Sequence, residues 1–360
     1  MQISVIGGGN GGQALAGYLA LKGHDVSLYN RSRERIATII DSKKIVLEGE
    51  VNKTAHVSFA TTDIADAIKK RQLLLVVVPA SAHEEIAKIL APYLEDGQVI
   101  VLNPGRSAGA LEFSASLKRL NVQKKVVVAE AETFIFASRI VKPGIVHIFG
   151  IKKHVPVAAL PASDNTVLEE VLLKVLPEFV IAPNTLYTSF NNIGAIFHPA
   201  TTLLNMGWIE STAGDFAFYM EGMSPSVTKI LELLDNERCA VAKAFGIKPM
   251  SLKEWLTYHY GVEADTLYDA IHNSRVYEHI KAPSNIENRY ILEDVPTGLV
   301  PFSALGKLSG VETPAIDTII KLASLVMGMD FYSLGRNLEK LCLAGKTVEE
   351  VKQIMKEGFQ

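Results

Sequence analysis

The chain has 360 residues, 48% of them hydrophobic and 21% charged, with a net charge of −3. That balance supplies apolar surface for two domains of ordinary size and no basic field to gather nucleic acid. Only two cysteines occur, Cys239 and Cys342. Without CxxC spacing they suggest neither a disulfide framework nor a metal site, which fits a reducing compartment. The N-terminus carries no basic leader, and no apolar run reaches 18 residues unbroken. The expectation is a cytoplasmic protein with no membrane span.

The first half alternates strand and helix signals. Residues 3–6 form a short apolar run closed by glycines, and 13–22 have helical periodicity ending at Gly23. Residues 26–29 predict a strand and 33–40 a helix. The run LLLVVV at 73–78 is continuous and β-branched, as in a central parallel strand buried on both faces. Helix at 83–90, strand at 99–102, helix at 110–120 and strand at 125–129 continue the alternation, which predicts a parallel doubly wound α/β sheet. Residues 145–149 and 155–160 read as a further antiparallel pair, 167–176 as a helix, and 179–182 as a strand that could close the sheet. Near Pro183 strand signals fade. Helical patterns then cover 189–206, 226–245, 251–260, 313–327 and 348–357. The expected division is residues 1–183 and an all-α domain over 184–360.

The first turn carries chemistry. Gly7, Gly9 and Gly12, with Asn10 and Gly11 between them, satisfy GxGxxG directly after a strand and before a helix. The first glycine permits a tight turn, the second lets backbone approach a pyrophosphate, and the third lets helix and strand pack closely. An ordinary glycine-rich turn is the plainer alternative, but the full context favours a Rossmann dinucleotide-binding domain. The end of the second strand selects the cofactor. An acid there accepts from the ribose 2′-OH of NAD. Here the position is Asn30, followed by Arg31 and Arg33. A neutral side chain does not repel a 2′-phosphate, and arginines bind one, so NADP(H) is expected over NAD(H). Pro79 and Asn103 open two further loops after buried strands, where ligands of such sheets sit.

Residues 189–206, SFNNIGAIFHPATTLLNM, form a mostly apolar segment in which Asn191, His198 and Asn205 recur every seven residues. On one helix these share a face, and Pro199 removes the bond its N–H would make to Ala195. A lone histidine on such a helix is more often a satisfied core residue than a catalyst. As an acid/base it needs an orienting carboxylate. Residues 288–301 are the best source: Asp294 precedes a proline-and-glycine loop, and Arg289 could grip a carboxylate bidentately. A helix-capping aspartate and a surface ion pair are the simpler readings of these two. Thr297 lies in the same stretch.

Together with GGGNGG, VVVPASAH and LNPGRSAGALEF, the segments FHPATTLLN, YMEGMSPSV, ERCAVAKAFGI, RYILEDVPTGLVPFSALG and LEKLCLAG resemble the opine dehydrogenase family, the octopine/nopaline type. The resemblance is strongest to bacterial N-(1-carboxyethyl)norvaline dehydrogenases and spans essentially the whole chain. It implies condensation of an α-keto acid with the amino group of an amino acid and reduction of the resulting imine. It also implies His198 as general acid/base paired with Asp294, and makes Arg289, Asn191, Asn205 and Thr297 candidates to hold substrate. Asn30 departs from the pattern, because the relatives carry an acid there and prefer NAD.

Two rivals remain. One is another two-domain reductase of the ketopantoate reductase or 3-hydroxyacid dehydrogenase type, although no segment matches the helix lysine and glutamate of the former. The other is a non-enzymatic NADP(H) sensor. The apolar C-terminal helices leave a homodimer open.

Overall fold

In the computed structural model, which describes residues 1–359, the chain divides into two units. Unit 1 is Met1–Thr188 with the segment from Gln353 onward, and unit 2 is Ser189–Lys352. The division falls a few residues past the composition shift at Pro183. The return of the C-terminal segment to unit 1 was not expected.

Unit 1 is built on β1 (Gln2–Ile6), α1 (Asn10–Leu21), β2 (Asp25–Tyr29), β3 (Lys44–Gly49), β4 (Lys53–His56), β5 (Phe59–Thr61), β6 (Leu73–Val76) and α2 (His83–Leu90). It continues with β7 (Val99–Leu102), α3 (Gly109–Arg119), β8 (Val127–Ala131), β9 (Phe136–Lys142), β10 (Ile145–Ile151), β11 (Val155–Leu160) and β12 (Phe179–Ile181). The main sheet has eight strands in the order β12-β11-β8-β7-β6-β1-β2-β5. Its strands from β8 to β5 pair in parallel. β11 joins antiparallel to β8, and β12 closes the edge parallel to β11. β6 and β7 are buried at every position, as their continuous apolar runs require.

Three expectations need correction. The segments at 145–149 and 155–160 do not pair with each other. β10 lies in a second sheet, order β4-β3-β10-β9, and β11 stays in the main one. The reason is packing on α1. A Cβ on Gly17 of that helix would press on Leu47 and Ile45 of β3. Ile45, Leu47, Val146 and Ile148 join Ala14 and Leu15 in one buried cluster, so the second sheet covers a face of α1. The helix expected at 33–40 is a 3-10 turn, Arg33–Arg35, followed by a short helix, Ala37–Ser42. The one at 167–176 is a single helical turn, Asn165–Leu168, followed by a π-helical turn, Glu169–Leu173.

Unit 2 is helical, as expected. The helix predicted over 189–206 is broken into α4 (Thr185–Phe190), which starts in unit 1, α5 (Gly194–Leu204) and α6 (Met206–Thr212). Pro199 is tolerated inside α5. The chain continues through α7 (Pro225–Ala244), α8 (Leu252–Tyr260), α9 (Leu267–His272), α10 (Arg289–Leu292), α11 (Val300–Ser309), α12 (Pro314–Met327) and α13 (Val348–Glu357), which carries the chain back into unit 1. The starts are encoded locally. The Ser224 hydroxyl accepts from the Val227 N–H ahead of Pro225, and Ser251 forms a capping box with Glu254. Arg238, fully buried on α7, ties the unit together. Its guanidinium donates to Asp235 at 2.9 Å, to the Met250 carbonyl at 2.6 Å and to the Phe190 carbonyl. A buried cation needs such complete pairing. No helix among the described residues is long and apolar enough to cross a membrane.

Candidate active site

In unit 1 the glycine loop has the predicted geometry. Gly7 adopts φ +118°, and a Cβ there would collide with the Val77 carbonyl. A Cβ on Gly12 would collide with the carbonyl of Gly7, so helix and strand approach as closely as the motif requires. Gly9 meets nothing within 4 Å. Its backbone is open to a ligand at the start of α1, where no side chain caps the N–H groups. Asn10 is exposed, and both it and Gly11 are engaged within the protein. The Asn10 amide oxygen accepts from the Ile140 N–H at 2.9 Å, and the Phe134 ring packs on Gly11.

A cleft of about 450 Å³ runs from Gly7 and Gly9 past Asn30 and Arg31 to Pro79 and Ile86, within the usual range for cofactor sites. Asn30 accepts from the Gly8 N–H at 3.0 Å and donates to the Ser32 carbonyl at 2.9 Å. Its amide therefore braces the loop. Arg33 is exposed and outside the cleft lining, whereas Ser32 and Arg35 line it. In a 3-10 turn, residues three apart eclipse, which puts 32 and 35 on one side and 33 on another. Gln13, fully buried, donates to the Gly8 carbonyl at 2.9 Å and accepts from the Gly144 N–H at 3.3 Å. Asn103 follows β7 directly and is almost fully buried, with neither amide atom bonded. An unmet amide at the carboxyl end of a strand, an uncapped helix start and an open glycine fit a dinucleotide. Its chemistry, when bound, is hydride transfer.

In unit 2, His198 sits on α5 with its side chain 16% exposed, and Asp294 follows α10 at 1%. Nδ1 of the imidazole lies 2.7 Å from Oδ2 of Asp294, so Nδ1–H donates to the carboxylate. That leaves the Nε2 lone pair, and the Tyr219 hydroxyl lies on it at 3.0 Å. Tyr290 stacks on the imidazole, ring centroids 4.1 Å apart and planes 18° from parallel. A close approach carries Asp294 to the histidine. Gly298, in the π-helical turn Val295–Leu299 that Asp294 precedes, would meet Ala195 of α5 with any Cβ.

The remaining candidates are placed as follows. Arg289 is exposed and donates to Glu293 at 2.6 Å. Asn191 falls in the break between α4 and α5, accepts from the Met250 N–H at 3.1 Å, and keeps a buried amide nitrogen unbonded. Asn205 ends α5 and donates to the carbonyls of Thr201 and Gly222 at 2.9 and 2.8 Å. Thr297 donates to the Glu293 carbonyl at 2.7 Å within its own turn. The seven-residue stripe therefore does not lie on one continuous helix. Sequence reasoning did not single out Tyr219, Tyr290, Gln13, Ser32 or Arg35. Tyr219 sits in the aromatic run FAFY, which reads as core, and Arg35 lies in the helix expected over 33–40, whose true 3-10 start the sequence did not show.

The helical region matches a family model. It is described as NAD/NADP octopine/nopaline dehydrogenase, alpha-helical domain, and covers residues 181–327. A model of the NAD-dependent glycerol-3-phosphate dehydrogenase N-terminus covers residues 2–127. The opine dehydrogenase of Arthrobacter sp. (strain 1C) is 41% identical over 350 residues, 97% of either chain. A solved octopine dehydrogenase with NADH and L-arginine has the same fold, with a TM-score of 0.82 at 22% identity over 99% of this chain and 98% of that one. Yersinopine dehydrogenase with NADP+ bound gives 0.78 at 15% identity over the same shares. With 41% identity to the Arthrobacter enzyme across 97% of its length, this chain belongs to the opine dehydrogenase family and is an NAD(P)-dependent oxidoreductase.

Proposed function

We propose that the protein joins an α-keto acid to the amino group of an amino acid and reduces the imine formed, with His198 as acid/base and NADP(H) as the preferred cofactor. The observation that carries this reading is the 2.7 Å bond between His198 Nδ1 and the buried Asp294 carboxylate. The carboxylate fixes one tautomer and stabilises the imidazolium, so Nε2 is the nitrogen that exchanges protons. A proton held there serves carbinolamine dehydration, and its return serves deprotonation of the incoming amine. Arg289, with its guanidinium exposed, is the candidate to meet a substrate carboxylate. Asn191, Asn205 and Thr297 have roles in holding the surrounding backbone, from the bonds they make.

The cofactor preference rests on charge. No acid stands at position 30, while Arg31, Ser32 and Arg35 line the cleft with it. Cations and a hydroxyl there suit a 2′-phosphate. Gly7, Gly9, Gly12 and the uncapped start of α1 would hold the pyrophosphate.

The test is a matrix of keto acids against amino acids, read as NADPH and NADH consumption. Oxidation must require both substrates. Oxidation by a keto acid alone would point to a simple ketoacid reductase instead. Replacing His198 by Ala should lower kcat by at least about 10²-fold, the usual contribution of a positioned acid/base, with NADPH affinity kept. Turnover near the wild-type rate in that variant refutes the assignment.

A further inference from the structure

We infer that Tyr219 is a second catalytic residue, carrying the proton between His198 and the substrate. This rests on the His198–Asp294 acid/base reading. Asp294 takes Nδ1, Tyr290 covers a ring face, and the Tyr219 hydroxyl lies on Nε2 at 3.0 Å. Nothing can bond Nε2 without sharing it with that hydroxyl or displacing it.

Displacement is opposed by packing. Tyr219 is buried, and its ring stacks on Tyr277, centroids 4.0 Å apart and planes 4° from parallel. Phe218 and Phe197 meet it edge-on at 5.2 and 6.2 Å. Its backbone is pinned on both sides. The Phe218 N–H donates to the Ile280 carbonyl at 2.8 Å. The Met220 carbonyl contacts His272 Nε2 at 2.9 Å, and the Gly222 carbonyl accepts from Asn205 at 2.8 Å. Tyr277 in turn bonds Tyr260, and burial pushes both phenols up, so the ring stacked on Tyr219 and its partner stay neutral across the working range.

The step balances without an outside reactant. As the carbinolamine loses water, the Tyr219 O–H proton passes to the leaving hydroxyl, and the His198 Nε2 proton passes to the Tyr219 oxygen. The C–O bond breaks with its electron pair on the departing water, and the nitrogen lone pair forms the C=N bond. Tyr219 ends as a phenol and His198 as a neutral imidazole.

The test compares wild type, Tyr219→Phe and His198→Ala on the fastest pair found among pyruvate and the common amino acids. Tyr219→Phe keeps the ring and its stack, and its fold is checked by the emission of Trp208 and Trp255, which lie in the same unit. The expected result is a kcat lower by about 10²-fold or more, with KM changed far less. Proton inventories, rate against deuterium fraction, should be curved in wild type, where two protons move together, and linear in Tyr219→Phe. In the free protein the His198 Nε2 ¹⁵N resonance should move toward that of a nitrogen without a donor. Replacing Tyr219 by 3,5-difluorotyrosine, which keeps the hydroxyl, should retain turnover and the curved inventory. If Tyr219→Phe keeps kcat within about twofold, or loses rate with a curved inventory, the relay is wrong while an inactive His198→Ala leaves the acid/base reading standing. An active His198→Ala removes both.

Discussion

Asn30 shows how one side chain can serve structure and specificity together. Its oxygen holds the Gly8 N–H and its nitrogen holds the Ser32 carbonyl, so it shapes the glycine loop while placing no carboxylate beside Arg31 and Arg35. Asn30→Asp keeps the first bond and loses the second. It also puts a carboxylate where a 2′-phosphate would sit, and where a ribose 2′-OH could donate. NADPH affinity should fall by roughly 10- to 100-fold, about 1.4 to 2.8 kcal/mol, with NADH affinity equal or improved. Fluorescence titration with both cofactors decides this, and an equal loss for the two would mean the residue only braces the loop. At this scale the sequence was legible where a residue acts through its own neighbours in the chain. The glycines are of that kind, because φ +118° at Gly7 and the approach of Gly12 to the Gly7 carbonyl are local demands. His198 and Asp294, 96 residues apart, were linked by an acid/base's need for an orienting carboxylate and by the family resemblance, with no local pattern joining them. Tyr219 was not legible, because a buried tyrosine and a proton-carrying one look alike until the hydroxyl's partner is known.

The bond between His198 and Asp294 depends on how two elements meet. α5 and the π-helical turn Val295–Leu299 touch where Gly298 faces Ala195. Gly298→Ala forces that turn, with Asp294 at its start, away from the helix that carries His198. Overpacking of this kind costs about 1–3 kcal/mol, and a small misplacement of a catalytic pair can lower rate about 10²-fold. The expected variant is folded, binds NADPH normally and has a kcat lower by one to two orders of magnitude. Adding Ala195→Gly removes the opposing methyl and should restore much of the loss. Steady-state kinetics of the two single variants and the double variant measure the coupling. Simple additivity, with no recovery, would show that the contact does not set the pair. Element type followed local periodicity well in β6, β7, α2 and α7. It failed for the second sheet, whose strand β3 pairs with β10 across the chain and presents Lys44 and Glu48 among its apolar residues. It failed also for the helix expected over 189–206, where Asn191 reads as part of a polar helix face and instead, with Asn192, marks the break at 191–193.

At the scale of the whole chain, sequence order and spatial order part company at the C-terminus. α13 begins in unit 2 and the chain ends in unit 1. Val351, Ile354 and Met355 recur at helical spacing, which announces a buried face without saying what it is buried against. Within unit 1, the Thr185 hydroxyl meets the Met355 sulfur at 3.4 Å, Lys118 lies over the Phe359 ring at 5.4 Å, and Gly358 rests on Pro161. Ile354 and Met355 are 6% and 3% exposed, and burial of each such side chain is worth about 1.5–3 kcal/mol. Ending the chain at Lys352 removes both and uncovers their partners. For a domain of this size each kcal/mol moves Tm by about 2–4 °C, so cofactor binding should be lost at a temperature lower by on the order of 10 °C. The two tryptophans, Trp208 and Trp255, both lie in unit 2, so their emission follows that unit separately from NADPH binding. Heating the truncated and full chains side by side, the loss of NADPH fluorescence should shift further than the tryptophan transition. If NADPH binding survives to the same temperature in both, the terminal segment does not stabilise the cofactor-binding unit, and its burial there contributes little beyond what solvent exposure would cost.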